Sequence, residues 1–194
     1  MAKTEGKILQ ATIDCIEKYG LEKTTIRQIA KEASMNSAAI NYYFRSKDLL
    51  MKQVMTIALG HAFDMENFKG SADLPAKERL VAVMDGMLIG AQQYPRLTKA
   101  FFLDLLLERG HNTLVLQHCQ AFLDILKQEL TAAYPRKSAE GIGEALMSIS
   151  SATFLYQGLF PGFFAGDATP DLSDSGQRNA YVRRVVDAYF KEDV

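Results

Sequence analysis

The chain has 194 residues, of which 48% are hydrophobic and 23% are charged, and these ordinary proportions exclude wholesale disorder. It has only two cysteines, Cys15 and Cys119, and opens with no apolar signal segment, so we expect a reduced cytoplasmic protein without disulfides. The net charge is −1, but residues 1–52 carry nine basic and six acidic residues while the remainder carries 13 and 17. A positive first segment fits an anionic partner, and it also fits an uneven solvated surface.

The first two predicted elements are a long helix and a short one. Apolar residues recur every three or four positions over residues 4–19, and Gly20 follows where helices commonly stop. The sequence Thr25-Ile26-Arg27-Gln28 is a capping-box pattern, in which the Thr hydroxyl and the Gln amide satisfy each other's free backbone N–H groups. It predicts a helix from Ile26 to about Ala33.

A second short helix is predicted directly after a turn at residues 34–36. Asn36 is a good N-cap and predicts a helix over Ser37–Phe44, after which Ser46 caps a long helix that begins at Lys47. Two short helices joined by a tight turn, and supported by a longer first helix, form a helix-turn-helix arrangement.

The second short helix has side chains that suit contact with DNA. Its N-terminal end consists of Ser37, Ala38 and Ala39. The small side chains of these residues let the backbone approach base edges in a major groove. Tyr42 and Tyr43 follow one turn later, each with an apolar body and a hydroxyl that can donate to a phosphate oxygen. Ile40 and Phe44 are four residues apart and are predicted to face the core. The alternative is that all three aromatics of this cluster are core residues.

The run TTIRQIAKEASMNSAAINYYFRSKDLL, from Thr24 to Leu50, resembles the DNA-binding signature of the TetR family of bacterial transcriptional regulators. The resemblance includes the preceding helix, which ends in Tyr19-Gly20. It implies an all-α homodimer whose N-terminal helix-turn-helix domain binds a palindromic operator and whose C-terminal helical domain binds a small effector. One departure concerns the geometry of the turn and not its existence: many members have Gly where Ser34 stands and a β-branched residue where Met35 stands.

The same resemblance assigns roles to individual residues. Thr25 and Tyr43 are implied phosphate contacts, and Lys47 anchors the start of the long helix, where its ammonium and the helix dipole both favour an anion. The residues expected to face bases or the nearby backbone are Arg27, Ser37, Ala38, Ala39 and Asn41. An Asn can bond adenine bidentately, whereas an Ala offers only apolar contact to a thymine methyl. We therefore expect water-mediated contacts or DNA shape to supply part of the specificity.

The DNA-binding domain is predicted to span residues 1–50 and the effector-binding and dimerisation domain residues 51–194. With the helix from Lys47 to about residue 68, the chain is expected to form about nine helices. The later ones are predicted over about 75–94, 96–108, 112–134 and 177–191, with one more helix in the uncharged segment before a Pro/Gly/Asp-rich loop over 159–176.

The segment from Ala145 to Gly166 has no charged residue, and its length suggests a membrane span. Its many Ser, Gly and Pro residues argue against that interpretation. A helix that is apolar on several sides is buried on several sides, so we expect it to pack on its own domain and on a second copy of the chain. The predicted interface residues, which would complete an intermolecular four-helix bundle, are Ser148, Ser151, Ala152, Tyr181, Val185 and Tyr189.

Aromatic and methionine side chains are candidates for lining an effector cavity, and plain core packing is the alternative for each: Met84, Met87, Phe101, Phe102, Phe122, Met147 and Tyr156. We expect a mostly apolar effector. The three histidines are too scattered to predict a metal site, no cofactor motif is found, and no catalytic constellation is visible. The sequence thus predicts a ligand-responsive transcriptional regulator, in this family more often a repressor. The alternative function is a helical small-molecule carrier or enzyme with an incidental N-terminal motif.

Overall fold

A computed structural model of the chain describes residues 2–106, 112–155 and 169–191. Within these ranges the protein is all-helical, with nine α-helices and no strand, which confirms the predicted fold class. In the same part of the chain, no helix combines the length and the apolar character that crossing a membrane requires. Residues 156–166 of the uncharged segment lie outside the described residues.

The helices occur in the predicted order. They are α1 (Ala2–Tyr19), α2 (Ile26–Glu32), α3 (Ser37–Phe44), α4 (Lys47–Ala62), α5 (Ala76–Gln93), α6 (Pro95–Leu106), α7 (Asn112–Ala133), α8 (Ala139–Ser150) and α9 (Ser175–Asp187). A 3₁₀ segment, Met65–Ser71, lies between α4 and α5, and a π-helical turn, Ser151–Leu155, continues α8.

Side-chain caps fix the starts of five helices. The predicted caps Thr25, Asn36 and Ser46 are confirmed, since each accepts a backbone N–H three residues further on. Ser138 and Asp174 cap α8 and α9 in the same way, at 3.0 Å and 2.8 Å. The predicted start of α9, at about residue 177, is therefore two residues too late.

The prediction that the helix from Lys47 continues to about residue 68 is wrong, because α4 ends at Ala62. Phe68, inside the 3₁₀ segment, packs so closely on Gly86 of α5 that a Cβ added there would lie 2.7 Å from the ring. The Phe68 ring also lies 6.4 Å, between centroids, from that of Phe122. These contacts come from residues distant in sequence, so local periodicity could not show that the helix stops early.

The described residues pack as two compact units. The first lies within Met1–His61 and Tyr94–Val115, and the second within Ala62–Gln93 and Leu116–Val194. Helix α6 belongs to the first unit, where Leu97 and Ala100 share a core with α1 to α4. The functional division at residue 50 stays a prediction.

The core of the first unit holds the helix-turn-helix together. Side chains from each of its first four helices are at most 5% exposed: Ile8, Cys15 and Ile16, then Ile29 and Ala30, then Ile40 and Phe44, then Leu50, Val54 and Met55. Ile40 and Phe44, which are predicted to face the core, are among them. Each full burial of a large apolar side chain stabilises the fold by roughly 1.5–3 kcal/mol.

The turn between α2 and α3 is a Schellman motif with an unusual residue at its left-handed position. The N–H of Met35 donates to the carbonyl of Ala30 at 2.8 Å, and the N–H of Ser34 donates to the carbonyl of Lys31 at 3.1 Å. Ser34 has φ of 53°, where glycine is favoured and a Cβ is strained. The departure from the family pattern therefore lies at the strained residue of the turn, and the turn forms nonetheless.

In the second unit, three ion pairs join α5 and α9 beside a core built from α5, α7, α8 and α9. Arg178 Nε lies 2.8 Å from Asp85 Oδ1, and Arg178 is itself buried. The guanidinium of Arg183 donates two hydrogen bonds of 2.7 Å to the carboxylate of Glu78. The third pair joins Lys77 and Asp187 at 3.3 Å. Since residue numbers rise along α5 as they fall along α9, the pairs fix the two helices antiparallel.

Replacing Ser34 by Gly should stabilise the protein. Glycine removes the strain of a Cβ at positive φ, and after its larger unfolded-state entropy is subtracted we expect a gain of about 0.5–1 kcal/mol. Denaturant unfolding measures it. Ser34→Ala, which keeps the Cβ, is the matched control and should show no gain, and equal stability of both variants would contradict the strain argument.

Removing Arg178 should destabilise the second unit strongly. Arg178→Met leaves the carboxylate of Asp85 without its buried partner, and we expect a loss of about 3 kcal/mol in the free energy of unfolding. The control, Arg183→Met, breaks a pair whose side chains are 42% and 33% exposed, so its loss should stay below about 1 kcal/mol.

The control variant has its own pH dependence. The hydrogen bond from Arg183 lowers the pKa of Glu78. Stabilisation by this pair is therefore fully present above the ordinary pKa of a glutamate and is lost as the pH falls through the lowered value. Unfolding curves of wild type and Arg183→Met should converge over that acid range, and a constant difference down to the lowest pH would contradict the assignment.

Candidate nucleic-acid interface

Helix α3 has one face in the core and the opposite face in solvent. Ile40 and Phe44 are buried, at 0% and 4% exposure. On the other side Ala38, Asn41 and Tyr42 are exposed. Ser37, Ala39 and Tyr43 are half-buried at the edges of this face. The structure thus brings the predicted base-facing residues of α3 to one outer surface, with Ser37 and Ala39 at its margin.

The two tyrosines of α3 have different environments. Tyr43 packs against the core of the first unit, whereas Tyr42 is 74% exposed. Their rings meet edge to face, with centroids 5.5 Å apart and an interplanar angle of 89°. Packing against the core therefore fixes the position of the Tyr43 ring, and the edge-to-face contact with this ring positions the ring of Tyr42. The alternative that the whole aromatic cluster is core is wrong, because only Phe44 is fully buried.

The start of α2 is shaped by the capping box. The N–H of Thr25 donates to Oε1 of Gln28 at 2.7 Å, and the N–H of Gln28 donates to the hydroxyl of Thr25 at 3.3 Å. The Thr25 hydroxyl also donates to the same Gln28 oxygen at 2.8 Å. To donate to a phosphate, this hydroxyl has to exchange Gln28 for the new acceptor. Thr25 and Arg27 are both exposed.

The junction between α3 and α4 is tight and carries two basic residues. Arg45 has φ of 61°, and the N–H of Ser46 donates to the carbonyl of Phe44 at 2.6 Å. Nζ of Lys47 donates to the backbone carbonyl of Glu22 at 3.4 Å, which connects the start of α4 to the loop between α1 and α2. Sequence reasoning missed this contact, because its partners are 25 residues apart and form no local pattern.

Charge is arranged around α3 and not on it. The helix itself has no charged side chain, while Arg27, Arg45 and Lys47 lie in the elements that precede and follow it. An uncharged, small surface with flanking cations suits approach to a groove whose edges are phosphates.

The predicted effector-binding residues are distributed over both units. Met84, Met87 and Phe122 are buried together in the second core. Phe101 and Phe102 are half-buried residues of the first unit, and Phe101 packs against its core. Met147 is 65% exposed, and Tyr156 lies outside the described residues.

A polar group beside the second core escaped the sequence reasoning. The hydroxyl of Thr153, in the π-helical turn, donates to the carbonyl of Ile149 at 2.8 Å and lies 3.6 Å from the sulfur of Met84. A threonine inside an apolar stretch gives no sign that it faces a particular methionine 69 residues away.

The predicted dimer residues all lie in the second unit, on α8, the π-helical turn and the end of the chain that includes α9. Ser148 and Ala152 are half-buried and Ser151 is exposed. The hydroxyl of Tyr181 donates to the carbonyl of Ala152 at 3.1 Å. Val185 packs partly on the second core, and Tyr189 is 38% exposed. Their role in a dimer stays a prediction.

Other chemistry is sparse in the part of the chain that the structure describes. No group of three His, Cys, Asp or Glu side chains there is arranged to hold a metal ion. Cys15 and Cys119 are free thiols. Burial raises the pKa of Cys119 to about 11, so this thiol is protonated and a poor nucleophile at neutral pH.

Comparison with known proteins identifies the helix-turn-helix. The family model described as bacterial regulatory proteins, tetR family, matches residues 8–54. The HTH-type transcriptional regulator BetI of Vibrio campbellii is 28% identical over 163 residues, which cover 80% of each chain. A transcriptional repressor of Mycobacterium tuberculosis is 30% identical over 94 residues, 48% of this chain and 46% of the relative.

The fold is similar to that of a solved structure. The crystal structure of a protein from Mesorhizobium loti, described as a TetR-family transcriptional regulator, superposes with a TM-score of 0.70 at 14% identity, covering 97% of this chain and 95% of that one. The relatives matched by sequence are described as transcriptional regulators, which favours the predicted regulator over the enzyme alternative. Residues 8–54 thus match the DNA-binding segment of the TetR family of bacterial regulatory proteins, and over 80% of its length the chain is similar to a transcriptional regulator.

Proposed function

We propose that this regulator is a cytoplasmic repressor that binds an inverted-repeat operator as a homodimer and is released by a small, mostly apolar effector. The observation that carries the proposal is the outer face of α3. Its exposed residues Ala38, Asn41 and Tyr42 lie opposite the buried Ile40 and Phe44, so packing fixes which side chains are presented. Repression is supported by the mycobacterial relative, which is described as a repressor.

Dimerisation is supported by the exposed faces of α8 and α9. Glu140, Glu144 and Met147 are exposed on α8, and Arg184 is exposed on α9. In a two-fold dimer each contact occurs twice, so acidic residues on one helix and a basic residue on the other can pair between copies. The small residues Ser148 and Ser151 of the same region allow close helix approach.

Release by an apolar effector is supported by the composition of the second core. Met84, Met87 and Phe122 are adaptable or aromatic side chains, and the Thr153 hydroxyl beside Met84 supplies one polar group. An effector acts by binding more tightly to a dimer conformation in which the two recognition helices no longer match successive major grooves, about 34 Å apart.

Selection of genomic DNA fragments from the source organism by the purified protein, at near-physiological salt, tests the proposal. An enriched inverted repeat is the expected result, and its neighbouring genes would suggest effectors. Well-folded dimeric protein, stripped of copurified ligand, that enriches no sequence at several salt concentrations would overturn the proposal and favour the carrier alternative.

Contacts to DNA should separate into two classes in binding measurements. Asn41→Ala should relax discrimination at one base position by about tenfold while leaving affinity for random DNA unchanged. The double variant Tyr43→Phe, Lys47→Ala should weaken operator and random DNA alike and reduce the salt dependence by about one phosphate contact. Gln128→Ala, on an exposed position of α7, is the control. Full discrimination by Asn41→Ala would remove Asn41 from the interface.

The proposed dimer can be tested by exchanging charges. Glu144→Arg and Arg184→Glu should each place like charges together at the interface and weaken the dimer by about tenfold or more, whereas the double variant should restore it. Sedimentation at several concentrations measures this. Asp124→Arg, an exposed acidic position on α7, is the matched control, and single variants that dimerise like the control would contradict the assigned faces.

A further inference from the structure

The first turn of α6 has its free backbone donors satisfied by a carboxylate from α1. Pro95 has no N–H, and the N–H of Thr98 makes the first intrahelical bond. The two remaining donors both reach Glu17: the N–H of Arg96 lies 3.1 Å from Oε2 and the N–H of Leu97 lies 2.7 Å from Oε1. Both oxygens of this carboxylate are thus used, at the helix end where the dipole favours a negative charge.

The end of α1 is capped in the opposite sense by α6. Nη1 of Arg96 donates to the carbonyl oxygen of Lys18, in the last turn of α1, at 2.6 Å. The last carbonyls of a helix lack intrahelical donors and carry the negative end of the dipole, so a guanidinium is a favourable partner. Glu17 and Arg96 therefore form a reciprocal cap, in which each helix supplies the charged group that the end of the other needs.

Apolar contacts support this reciprocal cap. Leu97 and Ala100 of α6 are 5% and 6% exposed and share the core that contains Ile16 of α1. Hydrophobic burial holds the helices together but has no preferred direction. The hydrogen bonds made by Glu17 and Arg96 are directional, because hydrogen bonds weaken steeply when their angles change. The cap consequently fixes the orientation of α6 on α1.

We propose that Glu17 and Arg96 are positioning residues for operator binding, which hold α1, and the helix-turn-helix packed on it, in one orientation on α6. This inference rests on the proposed function. Only Tyr94 separates Gln93, a residue of the second unit, from the first residue of α6, so the chain passes from the predicted dimerisation region into the helix that packs on α1. A dimer on an inverted repeat needs both recognition helices at a set separation, and a looser α1–α6 joint lowers the population of that arrangement and with it the affinity.

The variant Glu17→Gln distinguishes a positioning role from a simple effect of charge, because the two predict changes of opposite sign in the affinity for operator DNA. Removing a negative charge from α1 should strengthen binding to DNA if charge alone matters. Glutamine is uncharged and offers one acceptor oxygen in place of two, so both amides would have to share a weaker acceptor, and weakening of the cap should reduce operator binding by about tenfold. Asp14→Asn is the matched control, an exposed carboxylate on the same helix whose neutralisation should leave affinity unchanged or raise it.

Arg96→Met should weaken operator binding more than Lys99→Met, which removes the same charge from an exposed position of α6. Circular dichroism and thermal unfolding check that each variant is folded. If Glu17→Gln does not fold, Glu17→Asp replaces it, since aspartate keeps the charge but is one methylene too short to reach both amides. If neither variant folds, the cap serves stability and the proposal is overturned.

The outcomes also separate this proposal from the proposed function. Wild-type protein that selects no DNA sequence refutes the regulator mechanism itself. Wild-type protein that selects an operator, together with a Glu17→Gln variant that binds it as tightly as wild type or more tightly, overturns the positioning role and leaves the proposed function intact. Weaker binding by Glu17→Gln, with unchanged or tighter binding by Asp14→Asn, supports it.

Discussion

The burial of Ile40 and Phe44 is the interaction on which the proposed DNA-reading surface depends. These two side chains lie four residues apart on α3 and pack into a core with α1, α2 and α4. When α3 buries this edge, its opposite edge faces the solvent, and that edge carries Asn41 and Tyr42. Packing on the inner face therefore determines which residues of α3 form the outer face.

Helix α1 connects the parts of the first unit. Its apolar side chains form the centre of the core, and its polar side chains bond to helices on both sides. Near its start, Glu5 accepts a hydrogen bond of 3.0 Å from Gln53 of α4, and near its end Glu17 caps α6. The same helix thus carries the packing that forms the helix-turn-helix and the directional bonds that orient its neighbours.

The second unit is stabilised differently. Its antiparallel helices α5 and α9 combine a shared core with ion pairs. The pair of Arg178 and Asp85 is buried, so removing either partner leaves the charge of the other uncompensated. Met84 and Phe122 are part of that core. An effector that contacts them has to repack side chains around it, and the unbranched, flexible chain of methionine suits such repacking better than branched residues do.

The sequence by itself determined the elements whose forces act over three or four residues. The caps at Thr25, Asn36 and Ser46, and the inward pair on α3, are of this kind, so the helix-turn-helix could be predicted almost to the residue. Only the tertiary structure decided which core each apolar helix joins. The apolar residues of α6 do not show which core the helix joins, and Glu17 meets its partners 79 and 80 residues away. Contacts over such distances depend on how the whole chain folds, which no local pattern records.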